Sequence, residues 1–371
     1  MKRFGEQILV TRPYLPDIEA FKRGLDAVWE SRWLTNDGPM LHRFQAELAR
    51  YVGVPETNMA LFGNGTLALE LGYYAMGLSG GDVVTTPFTF VATSHALKRV
   101  GANPVFADID PDTMCLSPAA AEKVITPRTR AIVPVHVYGN VCDVDGFARL
   151  GDRHGVKIIY DAAHAFGIRV AGPSGEESIA RCGDMSMFSF HSTKLFHSAE
   201  GGMLVFRDEA VRKKLFALRN FAIESETECV DVGTNAKMNE LQALMGLECL
   251  GKIGELLDYR RKIYDMYESV FADCPEVKLV ACSRNKAYIP VLFRDNETRE
   301  RVYEELKSRC NVYSRRYFYP LLTDFAPYIY GKGTCPVAED VAARVLALPT
   351  YHGLPLEDAA DIARNVVEIV S

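Results

Sequence analysis

A doubly wound, mainly parallel α/β sheet with a smaller α/β domain behind it is the architecture that this sequence predicts. Two observations predict it. Short and mostly continuous apolar runs recur between residues 82 and 206, as expected for strands covered on both faces. Helix-forming segments stand between several of them, and that alternation feeds parallel strands through crossovers. The texture then changes past Gly233, where a long helical stretch opens a second unit. A length of 371 residues suits one large domain and one small one, which we place at 1–250 and 251–371.

The expected strands of the large domain are 82–86 (closed by Pro87), 104–108, 131–137, 156–160, 185–189 and 202–206. Helical segments are expected at 67–76, 94–100, 118–124 and 144–154. The second unit should open with one helix from Met238 to about residue 270, apolar at Leu241, Leu244, Met245 and Leu250. Strands at 277–280, 288–293 and 311–313 follow, with helices at 298–307 and 356–370.

Charge narrows the function classes. Forty-two basic residues against 48 acidic ones give a net charge of −6, and basic runs stay short, as in Arg260-Arg261-Lys262. A nucleic-acid partner would need a basic face. Nine cysteines without a C-x-x-C pair suit free thiols in a reducing compartment. No metal-ligand spacing stands out. Met1 to Val10 does not read as a signal peptide, and no apolar run is long enough to span a bilayer, so the expected location is cytoplasmic.

Four segments carry chemistry. Ser189-Phe190-His191-Ser192-Thr193-Lys194 ends a strand with a lysine in a polar turn. A partly buried lysine supplies a neutral amine that can attack a carbonyl, although alone it equally suits a solvated loop. Ile158-Ile159-Tyr160 runs into Asp161, then Ala162-Ala163-His164. A carboxylate at the C-terminal end of a parallel strand faces the ligand crevice and can pair with a protonated ring nitrogen; alone, it can also cap a turn. Gly63-Asn64-Gly65-Thr66 opens a helix whose free N–H groups suit a phosphate, and the same residues suit an ordinary turn. Phe88-Thr89-Phe90 follows a strand, where an aromatic can lie on a cofactor ring or simply join the core. A phosphate cradle, a stacking aromatic, a carboxylate for a ring nitrogen and a lysine, in that chain order, are the parts needed to hold pyridoxal phosphate.

The sequence resembles the DegT/DnrJ/StrS family, fold-type I pyridoxal phosphate-dependent aminotransferases of nucleotide-linked keto sugars. The likeness runs from Trp33-Leu34-Thr35-Asn36-Asp37-Gly38-Pro39 to Leu348-Pro349-Thr350-Tyr351-His352-Gly353-Leu354, and includes Pro134–Gly139 and Gly233–Gln242. It implies that Lys194 forms the internal aldimine and moves the proton, that Asp161 pairs with the pyridine nitrogen, and that His164 approaches the ring hydroxyl. Many relatives carry Gln at the position of His164. Phe90 would stack on the ring, while Gly65, Thr66 and Ser189 would hold the phosphate. Asn235 would reach that phosphate from the neighbouring subunit of a homodimer, and its alternative reading is a turn residue.

The resemblance suggests L-glutamate as donor and a dTDP-4-keto-6-deoxyhexose as acceptor. Glu200-Gly201-Gly202 after the lysine favours amination at C4 of dTDP-4-keto-6-deoxy-D-glucose, giving dTDP-4-amino-4,6-dideoxyglucose for an O-antigen or related glycan of lipopolysaccharide type. C3 amination, a GDP- or UDP-linked acceptor and a non-catalytic regulator are the alternatives. Arg316, Tyr317, Tyr319 and His197 are candidate sugar or nucleotide contacts.

Overall fold

Alternate residues of the apolar runs have to be covered from opposite sides, because successive side chains on a strand point to opposite faces. The computed structural model, which describes residues 1–172, 175–280 and 284–371, shows this sorting. Ile158 and Tyr160 lie in one buried cluster, whereas Ile159 between them lies in another.

Seven strands form the central sheet. In spatial order they are Met59–Phe62, Gly202–Phe206, Met185–Ser189, Lys157–Asp161, Thr129–Val133, Asp82–Thr85 and Asn103–Phe106. Gly202–Phe206 runs antiparallel to both of its neighbours, and the remaining pairings are parallel. The expected architecture is therefore present, with a single reversed strand.

Helix Gly65–Ala75 packs across Met185–Ser189 and Gly202–Phe206. Asn64 caps it, its side-chain oxygen accepting from the Leu67 N–H at 2.9 Å. A smaller antiparallel sheet joins Val277–Leu279, Ile289–Phe293 and Val345–Leu348. Helices Ile253–Phe271, Asn296–Cys310 and Leu356–Val370 bury Ile263, Leu306 and Ile362 in the core around it.

Several elements differ from the sequence expectation. The long helix from Met238 is two helices, Glu240–Leu250 and Ile253–Phe271, interrupted at Gly251 and Lys252. Glycine weakens a helix interior, and Lys252 there adopts φ −114° and ψ 3°. The strand expected through 137 stops at Val133, since Pro134 has no N–H to donate to a ladder. Met59–Phe62 and Val345–Leu348 are strands that no expectation covered.

The chain ends also cross the expected 250/251 division. Ile8–Leu9 pairs in parallel with Val312–Tyr313, and Phe4 and Ile8 sit in the core of the C-terminal sheet. Conversely, Tyr317, Phe318, Tyr328 and Val341 pack into the larger core. Among the described residues the cysteines are unpaired, and Cys282 lies outside them. No helix of the described residues is long and apolar enough to cross a membrane.

Two glycines near the start of Gly202–Phe206 are required by packing. A Cβ on Gly201 would lie 2.2 Å from Ser198 Oγ, and one on Gly202 would lie 2.6 Å from the Asn64 carbonyl oxygen and 2.8 Å from Gly65 Cα. The second clash is with backbone at the entrance of helix Gly65–Ala75, which cannot rotate away. Gly202→Ala should therefore cost about 1–3 kcal/mol in urea unfolding.

Candidate active site

The parallel strands deliver their C-terminal ends to one edge of the sheet, where open α/β sheets bind ligands. A cavity of about 560 Å³ opens there. Lys194, Asp161, His164, Gly65, Thr66, Phe90 and Ser189 all line it. Asn235 does not. It is exposed, in a segment bridged to Asn220, outside this cavity.

Asp161 ends its strand with its backbone still held in the sheet. Its N–H donates to the Pro134 carbonyl at 3.0 Å, and its carbonyl accepts from the His136 N–H at 3.0 Å. The carboxylate is buried. Oδ2 accepts from Thr93 Oγ1 at 2.8 Å and Oδ1 from the Ala163 N–H at 3.1 Å. Among the described residues no cationic side chain forms an ion pair with it. Burial consequently raises the carboxyl above the ordinary carboxylate range, while the two hydrogen bonds and the more distant Lys194 pull it back. A buried carboxylate without its own counter-cation is a costly arrangement, and a protonated ring nitrogen in the cavity would relieve it.

His164 has a defined tautomer. Its Nδ1 accepts from the Tyr138 backbone N–H at 3.0 Å, which leaves the proton of the neutral ring on Nε2. Burial, then the charge of Lys194, hold the imidazole well below its usual range, so the ring is neutral. It presents one N–H donor, suited to a phenolic or phenolate oxygen.

Lys194 lies in a tight turn, its backbone N–H donating to the His191 carbonyl at 2.9 Å. Bonds from the Phe190 N–H to the Gly201 carbonyl (2.8 Å) and from the Ser198 N–H to the Phe190 carbonyl (3.0 Å) close the loop that carries it. Its Nζ donates to the hydroxyl of Tyr288 at 3.3 Å. Glu200 also lines the cavity, with a carboxylate oxygen 3.4 Å from His191 Nε2, and it is the member of the Glu-Gly-Gly stretch that borders the site.

At the opposite end, Gly65 and Thr66 open helix Gly65–Ala75, where backbone N–H groups have no intrahelical acceptor. A Cβ on Gly65 would stand 3.0 Å from Ser189 Cβ and 3.2 Å from its Oγ. The two segments thus form a close cradle that suits a phosphate. Phe90, at the N-terminus of helix Val91–Arg99, keeps 46% of its surface exposed although it borders the cavity. An acid for a ring nitrogen, a donor for a ring oxygen, an amine, an exposed aromatic and an anion cradle together fit pyridoxal phosphate.

Sequence reasoning missed several residues here. Thr93, one turn past Phe90 on the same helix face, was readable from the i, i+3 spacing. Arg315 and Phe318, which line the cavity, and Tyr288, which meets the Lys194 amine behind it, were not, because they come from the C-terminal half and reach the site only in the fold. Of the four candidate sugar contacts, only Tyr317 lines the cavity. Arg316 pairs with Glu300 and lies over the Tyr303 ring, His197 donates to the Tyr14 carbonyl at 2.7 Å, and Tyr319 lies under Arg299.

The chain is 38% identical over 371 residues to the dTDP-4-amino-4,6-dideoxy-D-glucose transaminase of Shigella dysenteriae, covering 98% of each chain. It is 35% identical to the Escherichia coli enzyme of that name, covering 96% of this chain and 97% of the other. The crystal structure of DesI in the presence of its TDP-sugar product superposes with a TM-score of 0.92 at 35% identity, covering 100% of this chain and 94% of DesI. Residues 17–367 match the model of the DegT/DnrJ/EryC1/StrS aminotransferase family. The chain belongs to that family and is a pyridoxal phosphate-dependent aminotransferase.

Proposed function

We propose that this enzyme transfers the amino group of L-glutamate to C4 of dTDP-4-keto-6-deoxy-D-glucose, giving dTDP-4-amino-4,6-dideoxyglucose. The observation that carries the reaction class is the meeting of Lys194, Asp161, His164 and the Gly65–Thr66 cradle in one cavity. The acceptor is supported by the two relatives named for that product and by the TDP-sugar of the DesI structure. An O-antigen or related glycan made from a cytoplasmic nucleotide sugar is the setting that this product suits.

Pyridoxal phosphate, when bound, supplies an electron sink for the carbanion left when a proton leaves the carbon bearing nitrogen. Asp161 holds a proton on the ring nitrogen and so keeps that sink effective. His164 donates from Nε2 to the ring oxygen. The Gly65 and Thr66 N–H groups and the Ser189 hydroxyl bind the phosphate, and Phe90 covers one face of the ring. Lys194 is the covalent anchor. With the cofactor bound, the freed Nζ of Lys194 would be the group that accepts the α-proton of the amino donor in one half-reaction and donates a proton to C4 of the sugar in the other. One residue serving both halves in one cavity makes the kinetics ping-pong.

We assign the functional unit as a homodimer in which Asn235 reaches the partner's phosphate cradle. Asn235 is exposed and outside its own cavity, and it follows a segment that exposes the apolar residues Phe221, Ile223, Val230 and Val232. Sedimentation should give twice the monomer mass, and Asn235→Ala should weaken cofactor retention without changing that mass.

Product identity tests the substrate assignment. With glutamate and dTDP-4-keto-6-deoxyglucose, NMR should place the new amine on C4; nitrogen on C3 would overturn the assignment. Borohydride should bleach the yellow protein and fix the cofactor on Lys194, identified by peptide mass spectrometry.

Asp161 yields a test in the cofactor-free protein. Its folded value is raised above its unfolded one, so ionisation of this buried group costs stability as pH rises through the raised value. Asp161→Asn should unfold at higher urea than the parent at pH 8, by on the order of 1 kcal/mol. The gain should fade as pH falls below ~3, under the unfolded carboxyl's own value, where both states of the parent are protonated. The same variant should bind the cofactor more weakly.

A further inference from the structure

The amine of Lys194 meets one hydroxyl, and the reaction assigned above gives that hydroxyl no task. We infer that Tyr288 is the positioning residue that holds the Lys194 amine while it is not bonded to the cofactor, an inference that rests on Lys194 being the reacting lysine. Nζ donates to Tyr288 Oη at 3.3 Å, and this is the hydrogen bond the ε-amine makes among the described residues. The ring centroid is 6.0 Å from Nζ, so the amine meets the hydroxyl and not the aromatic face.

Tyr288 is built to stay in place. It is buried, and its ring packs against His164 at 4.5 Å, Tyr317 at 5.7 Å and Tyr138 at 5.8 Å between centroids. The residues before it are pinned. Asn285 Nδ2 donates to the His164 and Phe166 carbonyls at 2.9 and 3.0 Å, and the Ala287 N–H donates to Asn285 Oδ1 at 3.2 Å. Buried Arg260 donates to the Ala287 carbonyl at 2.8 Å. The hydroxyl is thus fixed relative to the loop carrying His164, and it belongs to the segment that leads into Ile289–Phe293 of the smaller sheet.

A lysine that must leave its covalent bond, move a proton and re-form the bond has four rotatable carbons to wander through. Each excursion costs orientation, and misplacing a reacting group by an ångström costs rates as heavily as losing a contact. Tyr288 confines that search. Burial pushes its phenol well above the ordinary tyrosine range, so the hydroxyl stays neutral, able to accept from an ammonium or donate to an amine.

Tyr288→Phe tests this, because it keeps the ring in the His164 and Tyr317 packing and removes only the oxygen. In the cofactor-free protein, the rate of Lys194 acetylation by trace acetic anhydride, read by peptide mass spectrometry, should rise several-fold over the parent. In the holoenzyme, the single-turnover rate with glutamate should fall about 10- to 100-fold while the half-saturating glutamate concentration stays unchanged. Unchanged labelling together with an unchanged rate overturns the inference, as does a slower rate with unchanged labelling. Tyr288→Ala, which also removes the ring, shows what loss of packing does to both readouts, and labelling in Tyr288→Phe no different from a parent whose melting temperature it shares likewise decides against it. Labelling needs neither cofactor nor turnover, and borohydride fixation on Lys194 tests the underlying reading separately, so the two failures are distinguishable.

Discussion

A carboxylate buried at the edge of a sheet without a counter-cation of its own is the constraint around which this molecule is organised. Among the described residues no cation pairs with Asp161, so ionisation of this buried carboxyl costs the cofactor-free protein stability. Its environment shows how the cost is contained. The strand ladder holds its backbone on two sides, and Thr93 and the Ala163 N–H each satisfy one oxygen. Such hydrogen bonds favour the charged form without neutralising it, which is the condition for binding a cationic ring nitrogen tightly.

The rest of the site follows the same logic of donors and acceptors fixed in advance. His164 has its tautomer set by the Tyr138 backbone, and the Gly65 cradle is closed by Ser189. Such preorganisation explains why the glycines at 65 and 202 tolerate so little, since each lets backbone approach backbone or side chain more closely than a Cβ allows. The reading of Glu200-Gly201-Gly202 is also refined by packing. The glycines serve the entrance of the strand and its neighbours, and Glu200 is the member of the trio that reaches the cavity.

How much of this was legible depended on sequence distance. The alternation of apolar runs and helical segments was enough for the central sheet, because a parallel strand and its crossover are local in the chain. Lys194, Asp161 and His164 were readable because Asp161 ends one parallel strand with His164 just beyond it, and Lys194 lies in the turn after the neighbouring strand, so topology alone brings them to one edge. Tyr288 was hidden for the opposite reason. It reads as the first residue of an apolar strand, and only the docking of the smaller sheet turns its hydroxyl toward Lys194. Val345–Leu348 was missed likewise, since it lies next to a helix in the chain and finds its partner Ile289–Phe293 about fifty residues upstream. Gly251 was in plain view, yet the apolar spacing across it masked the break.

The parallel pairing of Ile8–Leu9 with Val312–Tyr313 has a consequence for synthesis of the polypeptide. Phe4 and Ile8 are made roughly 300 residues before Val302, Leu306 and Ile362, with which they share one buried core. Ile8–Leu9 therefore waits for its strand partner until Val312–Tyr313 has been made. Only once those later residues are available can this core close around it.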